Sequence, residues 1–336
     1  MTEPRSVALC IVTHNAAADL PGCLEAIARL EHRPLEVVVV DCASSDGSPD
    51  VARRQAPDLP QDIPFQAIDL GENRGFAGGM NAAITASSSA WVLSLNADAR
   101  PAPDYVTRLL ARAGAHPDLK VGAVTGRLVR PAAADGRRRL DACGMRLTPT
   151  WRHLDRGSGE EDRGQLAIPE RVFGATGAAS LFRRAALDDA AVDGEVFDPR
   201  FHSFREDAEL CFRLRERGWE ILYEPAAVAE HRRFNLPERR SAMPALVNYH
   251  SLKNRYLLRL YHQTPGNFVR TFLPTLIRDL MAIGWVLLGE RSSLPAYSWL
   301  WKHRGELLSR RRAIQARRTV PGAAIDRWFS SPGEPL

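Results

Sequence analysis

Four apolar runs in the first hundred residues, at 7–12, 35–40, 65–70 and 91–95, alternate with stretches of helical periodicity at 18–30, 49–55 and 78–86. The second run, LEVVVV, is almost wholly β-branched, the composition of a strand buried on both faces. Repeated βα units of this length predict an α/β fold, a Rossmann-like, doubly wound and mostly parallel sheet. In such sheets ligands bind beyond the carboxyl ends of the strands. The residues that follow each run are therefore where function is to be sought.

Those residues are polar, acidic or glycine-rich. Thr13-His14-Asn15 follows the first run, Asp41 opens DCASSDGS after the second, GENRGFAGGMN follows the third, and Asn96-Ala97-Asp98 ends the fourth. Singly, each has a bland explanation: Asp46-Gly47 is a turn pair, and Ser48-Pro49 starts a helix. Four in succession point to a ligand site. Further along, FREDAELCFRLRERGW (204–219) sets Glu206 and Asp207 at the mouth of an amphipathic helix, with Leu210, Cys211 and Leu214 at helical spacing. Acidic residues also suit the positive end of a helix dipole, so plain helix-end charge competes for that pair. Residues 131–165 are polar, Arg- and Gly-rich and poorly periodic, and are expected to form a partly mobile excursion near the acceptor side. Residues 172–182, centred on GATGAAS, return to small side chains and strand character, where backbone can approach a ligand closely.

A chain of 336 residues has room for a catalytic domain and an appendage. Beyond His231 the text changes, and helices are expected over 241–262, 268–289 and 295–316, with a boundary near residue 236. The stretch TFLPTLIRDLMAIGWVLLG (271–289) approaches a membrane span, but Pro274, Arg278 and Asp279 interrupt it, and mid-helix charges are costly in lipid. An interfacial helix is expected instead. Trp285, Leu287 and Leu288, followed by the basic run 302–318, suit an anionic membrane surface, with packing on the catalytic domain or a homodimer contact as the competing reading. The net charge of +5 is concentrated in this last third. No zinc-finger, helix-turn-helix or aromatic RNA-binding pattern accompanies it, which argues against nucleic acid as partner. Five scattered cysteines without CxxC spacing read as buried thiols in a reducing compartment rather than a zinc site. With no secretory pattern at the start, the expected location is cytoplasmic, peripheral on the inner face of the membrane.

VALCIVTHN, VVVVDCASSDGS, ENRGFAGGMN, LNADARP, GATGAASLFRR and FREDAELCFRLRERGW occur in the order seen in family 2 glycosyltransferases of the GT-A fold. The chain resembles that family over roughly residues 5 to 235, and its rhamnosyltransferase-like branch most of all. The resemblance implies a GT-A catalytic domain over 1–235 and a C-terminal helical, membrane-associated region over 236–336. It further implies a dTDP- or UDP-sugar donor, dTDP-L-rhamnose being favoured, and a saccharide or lipid-linked saccharide acceptor in cell-surface polysaccharide assembly. A divalent cofactor, Mg²⁺ or Mn²⁺, goes with that chemistry.

Residue by residue, Asp41 matches the family's nucleoside-binding aspartate, able to accept from a pyrimidine N3–H or a ribose hydroxyl. Thr13 and Asn15 lie on the neighbouring strand end. Arg74 can contact base or phosphate, Gly75, Gly78 and Gly79 permit close backbone approach, and Asn81 caps the helix or contacts ligand. Asn96-Ala97-Asp98 stands where the family carries a DxD metal motif, and departs from it because Asn96 is neutral. Asp98 alone then brings charge, which suffices where phosphate and water complete the shell. His231 is a second candidate metal ligand, with Arg232 and Arg233 as alternative diphosphate contacts. Asp207 is the expected general base of a single-displacement, inverting transfer. Glu206 orients the acceptor or supports Asp207, or the two roles are exchanged. Trp151 and Trp219 either stack on sugar or fill core. Two other classes compete. A nucleotidyltransferase needs a basic glycine-rich loop after the first strand, which THNAAADLPG is not; a non-catalytic sugar-nucleotide-binding scaffold would tolerate loss of the base, yet Glu206 and Asp207 are both present.

Overall fold

The four apolar runs become adjacent strands in a computed structural model, which describes residues 5–132, 136–233 and 244–336. They are β1 (Val7–Thr13), β2 (Leu35–Asp41), β3 (Phe65–Asp69) and β4 (Trp91–Asn96), all parallel, in the order β3-β2-β1-β4. The crossovers carry α1 (Leu20–Ala28), α2 (Ser48–Gln55) and α3 (Gly75–Thr85). Alternation along the strands fills two cores. Ala8, Cys10, Val38 and Val40 pack with Met80 and Ala83 of α3. Leu9, Ile11, Val37 and Val39 pack on the other face with Leu24 and Ile27 of α1. Register pairs Thr13 with Asp41 and Val12 with both Val40 and Asn96, so the polar residues emerge along one edge.

The second half completes a mixed sheet. It contains β5 (Ala99–Pro101), α4 (Tyr105–Gly114), β6 (Val121–Val129), β7 (Leu140–Ala142), β8 (Met145–Leu147), β9 (His153–Asp155), β10 (Glu170–Arg171) and β11 (Ala179–Arg183). Next come α5 (Arg184–Ala190), α6 (Glu206–Glu216) and β12 (Glu220–His231). β11 inserts antiparallel between β4 and β6, and β12 runs parallel to β6. β13 (Glu334–Pro335) pairs with β10, giving the order β13-β10-β12-β6-β11-β4-β1-β2-β3 with β5 and β7 attached.

The C-terminal helices are α7 (Ala245–His262), α8 (Pro265–Leu288), α9 (Pro295–Lys302), α10 (Arg304–Ala316) and α11 (Gly322–Asp326). Leu257, Tyr261, Leu307, Ile314, Trp328 and Phe329 belong to the same buried cluster as Phe212 of α6. The boundary expected near residue 236 lies outside the described residues, as does the start of the helix expected from 241. The helix expected over 295–316 is two helices, α9 and α10, meeting at His303.

Two expectations need correcting. The described part of 131–165 is not a loose excursion. β7 pairs with β6, β8 with β9, and Leu140, Asp141, Cys143, Met145 and Trp151 are buried. Asp141, Arg156 and Asp162 look like surface in the sequence because their partners lie outside the segment; in the fold they meet Arg130, Glu170 and Arg127, while Arg137, Arg138, Arg146, Arg152 and Arg163 are exposed. The basic run 302–318 is likewise largely spent inside. Arg310 is 3% exposed between Asp193, Glu195 and Asp198; Arg311 and Arg317 donate to backbone carbonyls, and Arg318 reaches Glu216. Lys302, Arg304 and Arg312 remain exposed.

α8 is built inside out. The residues it buries against the body are Asn267, Thr271, Thr275 and Val286, while Phe268 through Leu288 keep twelve large apolar side chains between 40% and 89% exposed. Among the described residues it is the one helix long and apolar enough to cross a membrane. The carboxylate of Asp279 accepts from Arg255 and Arg259 of α7, 2.6 Å to each.

Candidate active site

Sheet register brings the strand-end residues together. Thr13 Oγ1 donates to Asp41 Oδ1 at 2.7 Å, and the Ser44 backbone N–H and hydroxyl donate to the two carboxylate oxygens at 2.8 and 2.5 Å. Asp41 is 2% exposed, so it organises the floor of this end of the site. The exposed residues beside it are Asn15, in the left-handed region at φ 56°, and His14, whose ring nitrogens lie 2.8 Å from the Cys42 carbonyl oxygen and 3.3 Å from Asn73. His14 was not singled out from sequence.

The glycines of GFAGGMN are corrected. They make room for protein rather than for ligand. A Cβ on Gly75 would lie 2.4 Å from the His202 carbonyl oxygen, and one on Gly79 would lie 2.6 Å from Val12. Gly78 abuts its own helix-mate Arg74. Asn81 exchanges hydrogen bonds with the backbone of Phe197, donating at 2.7 Å and accepting at 2.8 Å. Arg74 stays exposed, paired with Glu72. It lines an open groove of about 740 Å³ together with Asn81, Glu195 and His202.

The acidic strand end is built by β5, which pairs antiparallel with the end of β12 so that His231 lies opposite Ala99. His231 Nε2 is then 3.2 Å from Asp98 Oδ1 and 3.3 Å from Asn96 Nδ2, while Nδ1 is 2.7 Å from Asp141 Oδ2. Burial alone would lower the imidazole's pKa, but the hydrogen bonds of Asp141 and Asp98 outweigh it and raise it to about 9. Asp98 is correspondingly held low against its own burial. Among the described residues no three His, Cys, Asp or Glu side chains are arranged around one metal position. The chemistry still fits a divalent cation. Nε2 faces a carboxylate, Nδ1 is oriented by a second carboxylate, and replacing the bridging proton by a cation keeps opposite charges together. Arg233 is less free than its position suggested: its N–H donates to Asp98 at 3.1 Å and its guanidinium to Asp141 and Asp155. Arg232 pairs with Asp19 and is the more exposed of the two.

The third part is the start of α6. Asp207 Oδ2 accepts from the Gly177 N–H at 3.0 Å and Oδ1 from the Ala208 N–H at 2.7 Å. Gly177 lies just before β11, and its carbonyl accepts from Ser94 of β4 at 2.6 Å, so one residue, through its N–H and its C=O, ties the strand ends to this carboxylate. A Cβ there would sit 3.1 Å from Phe76, which explains the glycine. Burial raises the Asp207 carboxyl to about 6, opposed by the Gly177 hydrogen bond. Glu206, 7% exposed and with Oε2 lacking a hydrogen-bond partner, is pushed well above the usual range by burial and then by the Asp207 charge. The two neighbours thus separate, Glu206 holding its proton while Asp207 ionises near neutral pH. Of the two readings left open for Trp151 and Trp219, the fold favours packing. The Trp151 N–H reaches Thr271 from within the core, and the Trp219 N–H reaches Asp189. Asp141, Asp155 and Asn254 were missed from sequence, for no local pattern marks them.

Comparison with known proteins agrees with this geometry. The sequence model described as "Glycosyl transferase family 2" matches residues 8–190. An N-acetylglucosaminyl-diphospho-decaprenol L-rhamnosyltransferase of Mycobacterium tuberculosis is 27% identical over 243 residues, covering 66% of this chain and 74% of that one. A poly-beta-1,6-N-acetyl-D-glucosamine synthase of Staphylococcus aureus is 26% identical over 229 residues, covering 67% and 50%. Among solved structures, a mannosyltransferase from Pyrobaculum calidifontis in complex with GDP-Man and Mn²⁺ superposes with TM-score 0.54 at 20% identity, over 98% of this chain and 89% of that one. S. aureus TarS 1–349 in complex with UDP-GlcNAc gives 0.55 at 14% identity, over 97% and 91%. The fold is that of the GT-A glycosyltransferases.

Proposed function

The chain belongs to glycosyl transferase family 2, and we propose that it moves a sugar with inversion from a nucleoside diphosphate donor to a hydroxyl of a saccharide acceptor. The Glu206–Asp207 pair carries this reading. Asp207 is ionised near neutral pH, partly exposed, and set by Gly177 against the ends of β4 and β11. It takes the proton of the acceptor hydroxyl as that oxygen forms its bond to the anomeric carbon and the bond to the nucleoside diphosphate breaks. Glu206, still protonated, orients the acceptor as a hydrogen-bond donor. Asn15 and Arg74 line the nucleoside end, over a floor made by Thr13 and Asp41. Asp98 and His231, with Asn96 beside them, are the residues that would hold Mg²⁺ or Mn²⁺. A cation there supplies Lewis-acid stabilisation of the leaving diphosphate.

The first donor to test is dTDP-L-rhamnose and the acceptor class a lipid-linked saccharide; the mycobacterial relative's name suggests the L-rhamnosyl group and the lipid-linked acceptor, and the dTDP carrier comes from the family resemblance. A lipid-linked acceptor agrees with α8. Its outward face is apolar, and Arg270, Arg291, Lys302, Arg304 and Arg312 are exposed on or after it, the pattern of a helix lying in an anionic membrane interface. The protein then works peripherally, on the cytoplasmic leaflet.

Calorimetry with dTDP, UDP and GDP, each with and without Mn²⁺, tests the reading. Mn²⁺-dependent binding of dTDP above the others supports the rhamnose donor. Preference for UDP or GDP keeps the enzyme class and discards rhamnose. Absence of any nucleotide binding by the folded protein overturns the catalytic reading in favour of a scaffold.

A further inference from the structure

The loop that delivers Asp207 is held in a shape its own sequence disfavours. His202, Phe204 and Arg205 have φ of 62°, 71° and 73°, three residues of positive φ among four, none of them glycine or asparagine. Residues with a Cβ avoid this region unless their surroundings impose it. Here five consecutive carbonyls, from Arg200 to Phe204, are each gripped from outside the loop. Lys253 Nζ donates to Arg200, and the Ala77 N–H donates to His202 at 3.0 Å. The remaining three belong to one side chain. Nδ2 of Asn254 lies 2.8 Å from the Phe201 oxygen, 2.9 Å from that of Ser203 and 2.7 Å from that of Phe204.

Asn254 is 0% exposed, and its own Oδ1 has no hydrogen-bond partner. That imbalance fixes the orientation of the amide, since turning it over would aim its oxygen at three carbonyls. An amide with two N–H groups shared among three acceptors and an orphaned oxygen is a costly way to pack α7 against a loop. It is an effective way to hold one backbone conformation. Arg205, the last of the three, is the N-cap of α6, and Asp207 follows two positions later.

We propose that Asn254 is a positioning residue for the transfer: it locks the positive-φ turn that sets where α6 begins, and so where the Asp207 carboxylate meets the Gly177 N–H and the acceptor. The proposal rests on Asp207 being the general base. In its absence the turn relaxes, α6 starts from a displaced position, and the carboxylate loses its aim, while the hydrogen bonds that tie Thr13, Asp41 and Ser44 at the ends of β1 and β2 are made without the loop.

Asn254→Ser keeps one donor and tests this in the full chain. Turnover is read as nucleoside diphosphate release from the donor that calorimetry selects, with water replacing the acceptor. The expected result is a cooperative melt, a donor KM moved far less than kcat, a kcat lowered about 10- to 100-fold, and an acid-limb pKa displaced from that of the wild type. Adding Phe204→Gly, which removes the positive-φ penalty at one position, should restore part of kcat. Should Asn254→Ser alone fail to fold, the comparison is made in the Phe204→Gly background. A folded Asn254→Ser protein with wild-type kcat and acid limb overturns the proposal. Asp207→Asn separates the two levels. If it retains turnover, the base assignment falls and this inference with it; if it is inactive while Asn254→Ser is fully active, only the role of Asn254 falls.

Discussion

Two adjacent carboxylates with different proton affinities carry the proposed transfer. Glu206 is shut in and keeps its proton; Asp207 has two backbone N–H donors and loses its proton near pH 6. The rate should therefore rise with pH through about 6 and level off above it, as a pH profile of kcat will show. Asp207→Asn should lower transfer by about 10²-fold or more with nucleotide affinity unchanged. The same change should raise thermal stability. A carboxyl whose folded pKa lies above its unfolded value costs stability once pH exceeds the unfolded value, and the full cost is present above the folded one. Above about pH 6 the gain is read as a higher Tm, reduced by the one backbone N–H that the amide leaves without an acceptor. Asp141→Asn should weaken Mn²⁺ binding about 10- to 100-fold by releasing His231 Nδ1, measured by titration calorimetry. At this scale the sequence was half readable. Asp98, His231, Glu206 and Asp207 announce themselves because they follow strands or open a helix. Asp141 and Asn254 do not, because their partners lie 90 residues away and some fifty residues away and only the fold joins them.

Elements were most legible where burial dictated composition. β1, β2 and β4 are buried runs, β3 at the edge of the sheet is only half-buried, and α6 shows its apolar spacing openly. Elements whose stability comes from ion pairs were misread, since an arginine facing a buried carbonyl and one facing water look alike in a sequence. Residues 136–165 and α10 are the two cases. α8 was legible for the opposite reason, because its apolar side chains have no place in the core. Leu273→Glu, Ile277→Glu and Leu280→Glu together should abolish flotation with anionic liposomes. They should leave the melting temperature nearly unchanged, since all three are at least half exposed. Truncation would be a poorer test, because Trp328 and Phe329 pack into the core beside Phe212.

Across the whole molecule, α7 and α10 clasp α6 as well as its leading loop. His262 of α7 is fully buried between Glu209 and Glu216 of α6, stacked on Phe212 at 4.7 Å, while Arg318 and Gln315 also reach Glu216. Burial would lower the imidazole's pKa, but the two glutamates raise it overall. A histidine raised in the folded state contributes stability that is complete below its unfolded pKa and lost as pH climbs through the folded one. Denaturant unfolding should accordingly weaken between neutral and alkaline pH, and His262→Gln should flatten that slope. The inside-out build of α8 bears on how this protein behaves at the bench. With no lipid present, its apolar face will shed water against whatever is nearest, and in a concentrated sample that is another copy of the same helix. A dimer seen by light scattering in plain buffer would then report solvent avoidance, and mild detergent should dissolve it into single chains that still turn over donor.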